Sequence, residues 1–358
     1  MKTTAFKVST PATFFLFPFS FFFFPVRLIL FSFFLFSLHA CKKYPVFKGD
    51  YTRIETAPGP EDIALDTIGE MERIIASCSE RRTLDYSKNG FYSLDIQSQK
   101  ITQLAVSGLP TSIQLRPHGI DIAMVKGVKT LYVVNHEQNA ADFPPAGRQS
   151  ILVFELRAEE VVFRQQLTNP LIVSPNDVCT DKAGGIFVSI DSGKINSKWE
   201  KLMALKHSYV LHFNGETWQQ VGEKLRYANG VGVADGRIYI TGTQEKNIIS
   251  YKMNADGTFS HPEEYPTMKG NDNITFYGNK LVTTAHLDFL KFLKHVKDGD
   301  EPTPCIVYSM DLKTHQLDTL YLDNGTVMSA ASTGLIYKDK LYASQIFNPF
   351  IISIPLAD

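Results

Sequence analysis

Residues 176–191 read NDVCTDKAGGIFVSID: two side-chain oxygens, a short strand, a turn with two glycines, then an apolar, β-branched strand. An Asn-Asp pair before a strand is ordinarily a turn, since both side chains bond nearby backbone and the preceding proline fixes the approach. Repetition makes that answer insufficient. The design recurs as HGIDIAMVKGVKTLYVVNH from His118, NGVGVADGRIYITGT from Asn229, DNITFYGNKLVTTAH from Asp272 and STGLIYKDKLYASQI from Ser332. A degenerate first copy, EDIALD, starts at Glu61. Successive copies lie 43 to 60 residues apart, and strand patterns such as SILVFEL, SYVLHFN, NIISYKM and CIVYSMDL fall between them. Each unit therefore holds about four short strands, with few helical periods competing. Four-stranded units repeated every fifty residues or so build a β-propeller. The expected fold is all-β, a six-bladed β-propeller over residues 55–358.

In a propeller the first strands of the blades line a central tunnel, so equivalent residues converge on one axis. Five of the heads are Glu61-Asp62, His118, Asn176-Asp177, Asn229 and Asp272-Asn273. That is mainly carboxylate and amide oxygen, which is unfavourable to bury together unless a cation sits among it. Oxygen donors without thiolates, too far apart for one local loop, suit Ca²⁺. The central tunnel is therefore expected to hold calcium.

Composition excludes some partners. The 358 residues carry a formal charge of −1, which gives no reason to expect nucleic acid. There is no Gly-x-Ser-x-Gly elbow, phosphate loop or dinucleotide fingerprint. Phe14–Phe36 holds twelve of the 26 phenylalanines and runs into Leu38-His39-Ala40-Cys41, a lipobox pattern in which Cys41 is lipidated. The alternative is a plain transmembrane anchor with an incidental cysteine. Arg27 and the apolar run after it already make a complete short signal, which admits Val26 as the initiator and residues 1–25 as a start-site artefact. The expected organisation is a signal peptide over 1–40, a lipidated tether over 41–54 and the propeller beyond, in an exported, membrane-anchored bacterial lipoprotein of the cell envelope. Cys78, Cys179 and Cys305 are too few and too irregular for a disulfide framework or a zinc site.

The ordered segments PEDIAL, RPHGIDI, LYVVNH, PNDV, YANGVGV, DNITF and DNGTVMSAASTGLIYKDKLYASQIF resemble the paraoxonase/arylesterase family from about residue 55 to the C-terminus. SKWEKLMALKHSYVLHF, 197–213, resembles that family's Trp-Glu segment. Gluconolactonase-like propellers share the metal arrangement, but the paired PHGI and VVNH point to the first family. The resemblance implies a six-bladed calcium-dependent lactonase or arylesterase with two Ca²⁺ ions. It implies a catalytic ion held by Glu61, Asn176, Asn229, Asp272 and Asn273. A structural ion would be held by Asp62, Asp177 and the backbone carbonyl of Ile120. It further implies a catalytic histidine pair, His118 and His136, with His286 lining the substrate pocket. The expected partners are a small lactone or ester and, through the lipid anchor, a membrane. Two alternatives stay open: a sugar-lactone hydrolase, and a non-catalytic calcium-stabilised binding module at the cell surface. The chain departs from the family in lacking a closing disulfide and in reading Asp191-Ser192 where Asp-His is usual, which leaves the substrate wall in doubt.

Overall fold

The computed structural model describes residues 43–69, 71–137, 149–181, 183–195 and 197–356. The signal segment and Cys41 lie outside the described residues. Among those described, no helix is long and apolar enough to cross a membrane.

Six antiparallel sheets form the blades, as the repeat predicts. Blade 1 comprises β2 (Pro60–Asp66), β3 (Arg73–Cys78), β4 (Gly90–Asp95) and β5 (Ile101–Gln103). Blade 2 comprises β7 (Pro117–Val125), β8 (Val128–His136), β9 (Gln149–Leu156) and β10 (Glu160–Leu167), with β6 (Ala105–Ser107) added parallel to β10. Blade 3 runs from β11 (Pro175–Thr180) through β12 (Ile186–Ile190) and β13 (Ser208–Phe213) to β14 (Trp218–Leu225). Blade 4 runs from β15 (Ala228–Ala234) through β16 (Arg237–Gly242) and β17 (Asn247–Met253) to β18 (Phe259–Pro266). Blade 5 holds β19 (Asn271–Tyr277), β20 (Lys280–His286), β21 (Cys305–Asp311) and β22 (Leu317–Asp323).

Blade 6 takes β23 (Ala331–Tyr337), β24 (Lys340–Gln345) and β25 (Phe350–Pro355) from the C-terminus. Its outer strand is β1 (Thr52–Glu55), pairing Thr52 with Ser353 and Glu55 with Phe350. Closure thus rests on strand pairing between the two ends of the chain, as the missing disulfide requires. This corrects the tether boundary: the compact unit begins at Tyr44, and Thr52–Ile54, expected in the tether, are blade.

Strand alternation puts apolar side chains on both faces of each sheet, so the core is a set of wedges between blades. Phe91 of blade 1 meets Phe154 of blade 2, and Val188 of blade 3 meets Val134 of blade 2. Cys78, Cys179 and Cys305 are free, buried members of these wedges.

The six first strands pack in a ring, and each carries a register shift at its head, for example between Pro175 and Val178 and between Asn271 and Ile274. A bulge re-aims the residues inside it. In the Glu61-Asp62 and Asn176-Asp177 heads the two neighbours face opposite ends of the tunnel. Two short helices, α1 (Lys198–Leu202) and α2 (Phe289–Lys297), lie in the loops after β12 and β20.

Candidate functional site

At one end of the tunnel a cavity of about 560 Å³ is lined at its base by Glu61, His118, Asn176, Asn229 and Asp272, from five blades. His136 and His286 also line it. At the other end a cavity of about 440 Å³ has Asp62, Ile120 and Asp177 at its base. The two ligand sets expected from the resemblance are thus sorted to opposite ends. Asn273 belongs with the first set through its side chain, which donates from Nδ2 to Glu61 Oε1 at 3.2 Å.

Hydrogen bonding distinguishes the two sets. Glu61 Oε2 and the Oδ1 atoms of Asn176, Asn229 and Asn273 are buried and have no donor. The amide orientations are fixed from behind: Asn229 Nδ2 donates to Thr243 Oγ1 at 2.9 Å and Asn273 Nδ2 to Thr333 Oγ1 at 2.9 Å. Four unmet buried oxygens from four blades would be strongly unfavourable in an empty interior, and an oxygen-seeking cation satisfies all of them. The residues therefore fit calcium. The set depends on amides: among the described residues no three His, Cys, Asp or Glu are grouped to hold a metal by themselves. Burial, together with the neighbouring charges of Asp62 and Asp272, pushes the Glu61 carboxyl up to about 8 despite Arg81.

The second set is hydrogen-bonded. Asp62 accepts from Ile63 N, Thr333 Oγ1 and Ile120 N, all within 2.8 Å. Asp177 accepts from Val178 N at 2.7 Å and Val231 N at 2.8 Å. Burial raises both carboxyls, Asp62 to about 7, and Asp62 raises Asp177 further by its charge. Two neighbouring buried carboxylates also suit a cation, although each of their oxygens already has a donor.

The histidine rings of His118 and His136 lie 4.7 Å apart between centroids. Among the described residues no hydrogen bond joins them. His136 Nε2 lies 2.6 Å from Pro175 O, so it carries the proton. His118 Nδ1 accepts from Arg81 Nη2 at 2.7 Å. The same nitrogen is 3.3 Å from Glu61 Oε2, but an atom accepting from a guanidinium has no proton to give a carboxylate. Both imidazoles are neutral: burial lowers His118 well below its usual value, helped by His136 and Arg81, and lowers His136 to about 4. His286 is buried and donates from Nε2 to Asp272 Oδ2 at 3.0 Å.

The walls contain residues outside the expected ligand and histidine sets. Arg81 is anchored by the carbonyls of Gly59 and Ser79, at 3.0 and 2.8 Å. It sits in the loop SERRTLD between β3 and β4, whose sequence does not recur in the other repeats. Ser332 completes the ring of heads, 2.9 Å from Glu61 Oε1 and 3.2 Å from Asp272 Oδ2. Its place at the head of the sixth repeat was the available signal. Asp191, whose environment the sequence left in doubt, forms an ion pair with Lys201 of α1, beside the Tyr227 ring. Tyr227 holds a left-handed φ of 59°, uncommon for a bulky residue, immediately before the Ala228-Asn229 head. The rest of the lining is largely apolar, with Leu202 on α1, Phe289, Phe292, Leu293 and Val296 on α2, and Phe347, beside the cations Lys198, Lys201 and Lys297.

Mouse serum paraoxonase/arylesterase 1 is 23% identical over 285 residues, covering 75% of this chain and 77% of the mouse protein. Human serum paraoxonase/lactonase 3 is 23% identical over 265 residues, covering 71% and 73%. In fold, a gluconolactonase from Xanthomonas campestris matches with a TM-score of 0.57 at 14% identity, over 89% of this chain and 93% of its own. A luciferin-regenerating enzyme matches with a TM-score of 0.56 at 12% identity, over 86% and 95%. The Arylesterase family model matches residues 82–351, three quarters of the sequence, and the chain belongs to that family.

Proposed function

We propose that the protein is a calcium-dependent hydrolase of lactones and of aryl or other carboxylic esters. Family membership supports ester or lactone hydrolysis in general. The observation that carries the calcium part is the set of four buried, donorless oxygens on Glu61, Asn176, Asn229 and Asn273. With Asp272 they would hold the catalytic ion. Asp62, Asp177 and the Ile120 carbonyl would hold the second.

Bound calcium would supply a Lewis acid for the substrate carbonyl and a charge opposing the developing oxyanion. The chain's own residues do the rest. His118 presents Nδ1 beside Glu61 and takes a proton from the attacking water through that atom. To do so it must exchange its bond from Arg81, so Arg81 holds the base in place and yields in the reaction. His136, tied to Pro175 O, packs against the His118 ring and limits its tilt. His286 orients the Asp272 carboxylate. The largely aromatic and aliphatic lining favours substrates with an apolar body over polyhydroxylated sugar lactones. In the same reading, Cys41 is the lipidated N-terminus of an exported, membrane-anchored bacterial lipoprotein, which intact mass of the membrane form against Cys41→Ser tests.

The deciding experiment uses the protein starting at Lys42, with an aliphatic lactone, phenyl acetate and gluconolactone, each with calcium and with chelator. Calcium-dependent turnover of the aliphatic lactone above gluconolactone is expected. Thermal stabilisation by calcium without turnover of any of the three would leave a calcium-stabilised binding module instead.

A further inference from the structure

The helix α2 walls the cavity with Phe289, Phe292, Leu293 and Val296, and Phe292 stacks on His286 at 4.2 Å. Yet only one of its nine residues is fully buried, and that residue is His295. A helix that forms an apolar wall is usually held by apolar side chains. This one is held by an imidazole with a partner at each nitrogen. His295 Nδ1 lies 2.7 Å from Glu301 O and must donate to it. Nε2 is then the acceptor, facing Arg82 Nη2 at 3.2 Å. The same Nη2 donates to the His295 carbonyl at 2.8 Å, which uses its two protons on one residue. Arg82 Nη1 donates to Asn348 Oδ1 at 3.1 Å, and the guanidinium lies 4.3 Å over Phe347.

We propose that Arg82 and His295 are positioning residues, a latch that seats α2 as the apolar wall of the substrate cavity only while His295 is neutral. Protonation at Nε2 removes its acceptor and sets a second cation against the guanidinium. The charged groups around the latch are few. Glu80 lies beside Arg82, Asp298 and Asp300 follow the helix, His286 faces it from β20, and Lys294 and Lys297 are on α2 itself. Burial lowers His295 first, and Arg82 and His286 lower it further, against Glu301 and Asp298. A histidine lowered in the seated state releases its proton on seating. The seated state is therefore fully favoured above the ordinary histidine value and loses ground as pH falls below it. Arg82 immediately follows Arg81, so a single loop carries both the contact to His118 and the latch on α2.

The test is amide hydrogen exchange of the calcium-loaded propeller chain, followed for 289–297 between pH 7.5 and 5 and corrected for the intrinsic rate. Protection of that segment should fall about tenfold per pH unit of proton linkage, while β7 and β15 hold theirs. His295→Gln should flatten the dependence. Arg82→Met should lower protection already at pH 7.5 and weaken the dependence only by the share Arg82 contributes beside burial, with Arg82→Lys intermediate. Flat protection in the wild type, or an acid loss that survives His295→Gln, would overturn the latch. A kinetic readout rests on the hydrolase reading: KM for a long-chain lactone should rise on acidification more than kcat falls, and less so in His295→Gln. Absence of turnover would count against the hydrolase reading alone, since the exchange result stands without it.

Discussion

The two ends of the tunnel are built from the same six strand heads, yet they treat oxygen differently. At the α2 end, four oxygens on Glu61, Asn176, Asn229 and Asn273 have no donor. At the other end, Asp62 spans from blade 1 to Ile120 N of blade 2, and Asp177 from blade 3 to Val231 N of blade 4. Asp121 makes the bridge between them, accepting from Thr180 N of blade 3 at 2.7 Å. These carboxylates staple consecutive blades by backbone bonds, whereas those at the α2 end leave lone pairs for a ligand. The bulged heads of blades 1 and 3 do the sorting, sending Glu61 and Asp62, and Asn176 and Asp177, in opposite directions. The lesson is that a ring of acidic and amide heads is not one site. Its members divide by whether the backbone has already claimed their oxygens.

The largest effect should come from the α2 end. Glu61→Gln keeps the shape and removes the charge where an oxygen lacks a donor. Turnover should fall by at least about 100-fold, the scale on which a preorganised charge contribution is lost. The rise in melting temperature on adding calcium should shrink with it. An equal loss of turnover from Asp62→Asn would erase the distinction between the ends.

Next comes a change at the plane dividing them. Gly230 lets blade 4 approach blade 5 so closely that a Cβ there would stand 2.5 Å from Asp272 O and 2.8 Å from Asn273 Cα. Those are backbone atoms and cannot swing away. Gly230→Ala should destabilise the fold by about 2–3 kcal/mol, as overpacking does. Because the backbone of two head residues would move, calcium affinity should fall as well. Chemical unfolding and calcium titration of the same sample would check both.

Much of this plan was legible because the repeat is legible. The heads fall at equivalent positions in every blade, so aligning the segments brought Glu61, Asn176, Asn229 and Asp272 together before any coordinates. Residues outside the repeat were not visible that way. Arg81 comes from a loop whose sequence does not recur among the blades, and its role depends on carbonyls brought in by folding. Thr52–Glu55 is four residues long, mostly exposed, and becomes a strand only because β25 offers an edge. The short helix α2 is amphipathic, but nothing in its sequence reveals that an arginine more than two hundred positions earlier caps its one buried histidine. Local pattern gives the blades. Contacts between distant segments decide the walls.

A smaller loss is expected from the stapled end. In Asp62→Asn an NH₂ must replace one carboxylate oxygen. Placed at Oδ1 it opposes Ile63 N–H, and placed at Oδ2 it opposes Ile120 N–H. Either way one buried donor goes unmet, which costs about 1–2 kcal/mol of stability. Turnover per folded molecule should fall far less than in Glu61→Gln, since Asp62 does not line the α2-end cavity and reaches it by hydrogen bonds through Thr333, which donates to Asp62 and accepts from Asn273 Nδ2. The calcium count by calorimetry should drop from two ions to one if Asp62 also holds the second. The same variant therefore separates the staple from the metal.

The smallest effect should be Ser332→Ala, and it tests the rule most finely. The Ser332 hydroxyl has one proton and two candidate acceptors, Glu61 Oε1 and Asp272 Oδ2. Both keep another donor when it is gone: Asn273 Nδ2 for Glu61 Oε1, and His286 Nε2 for Asp272 Oδ2. No oxygen becomes orphaned, so the change should be under about 1 kcal/mol, less than a fivefold loss of calcium affinity. A much larger loss would mean that Ser332 Oγ itself supplies a lone pair to the ion. The sixth blade would then contribute a ligand in its own right, and the division between claimed and unclaimed oxygens would have to be extended from carboxylates and amides to hydroxyls.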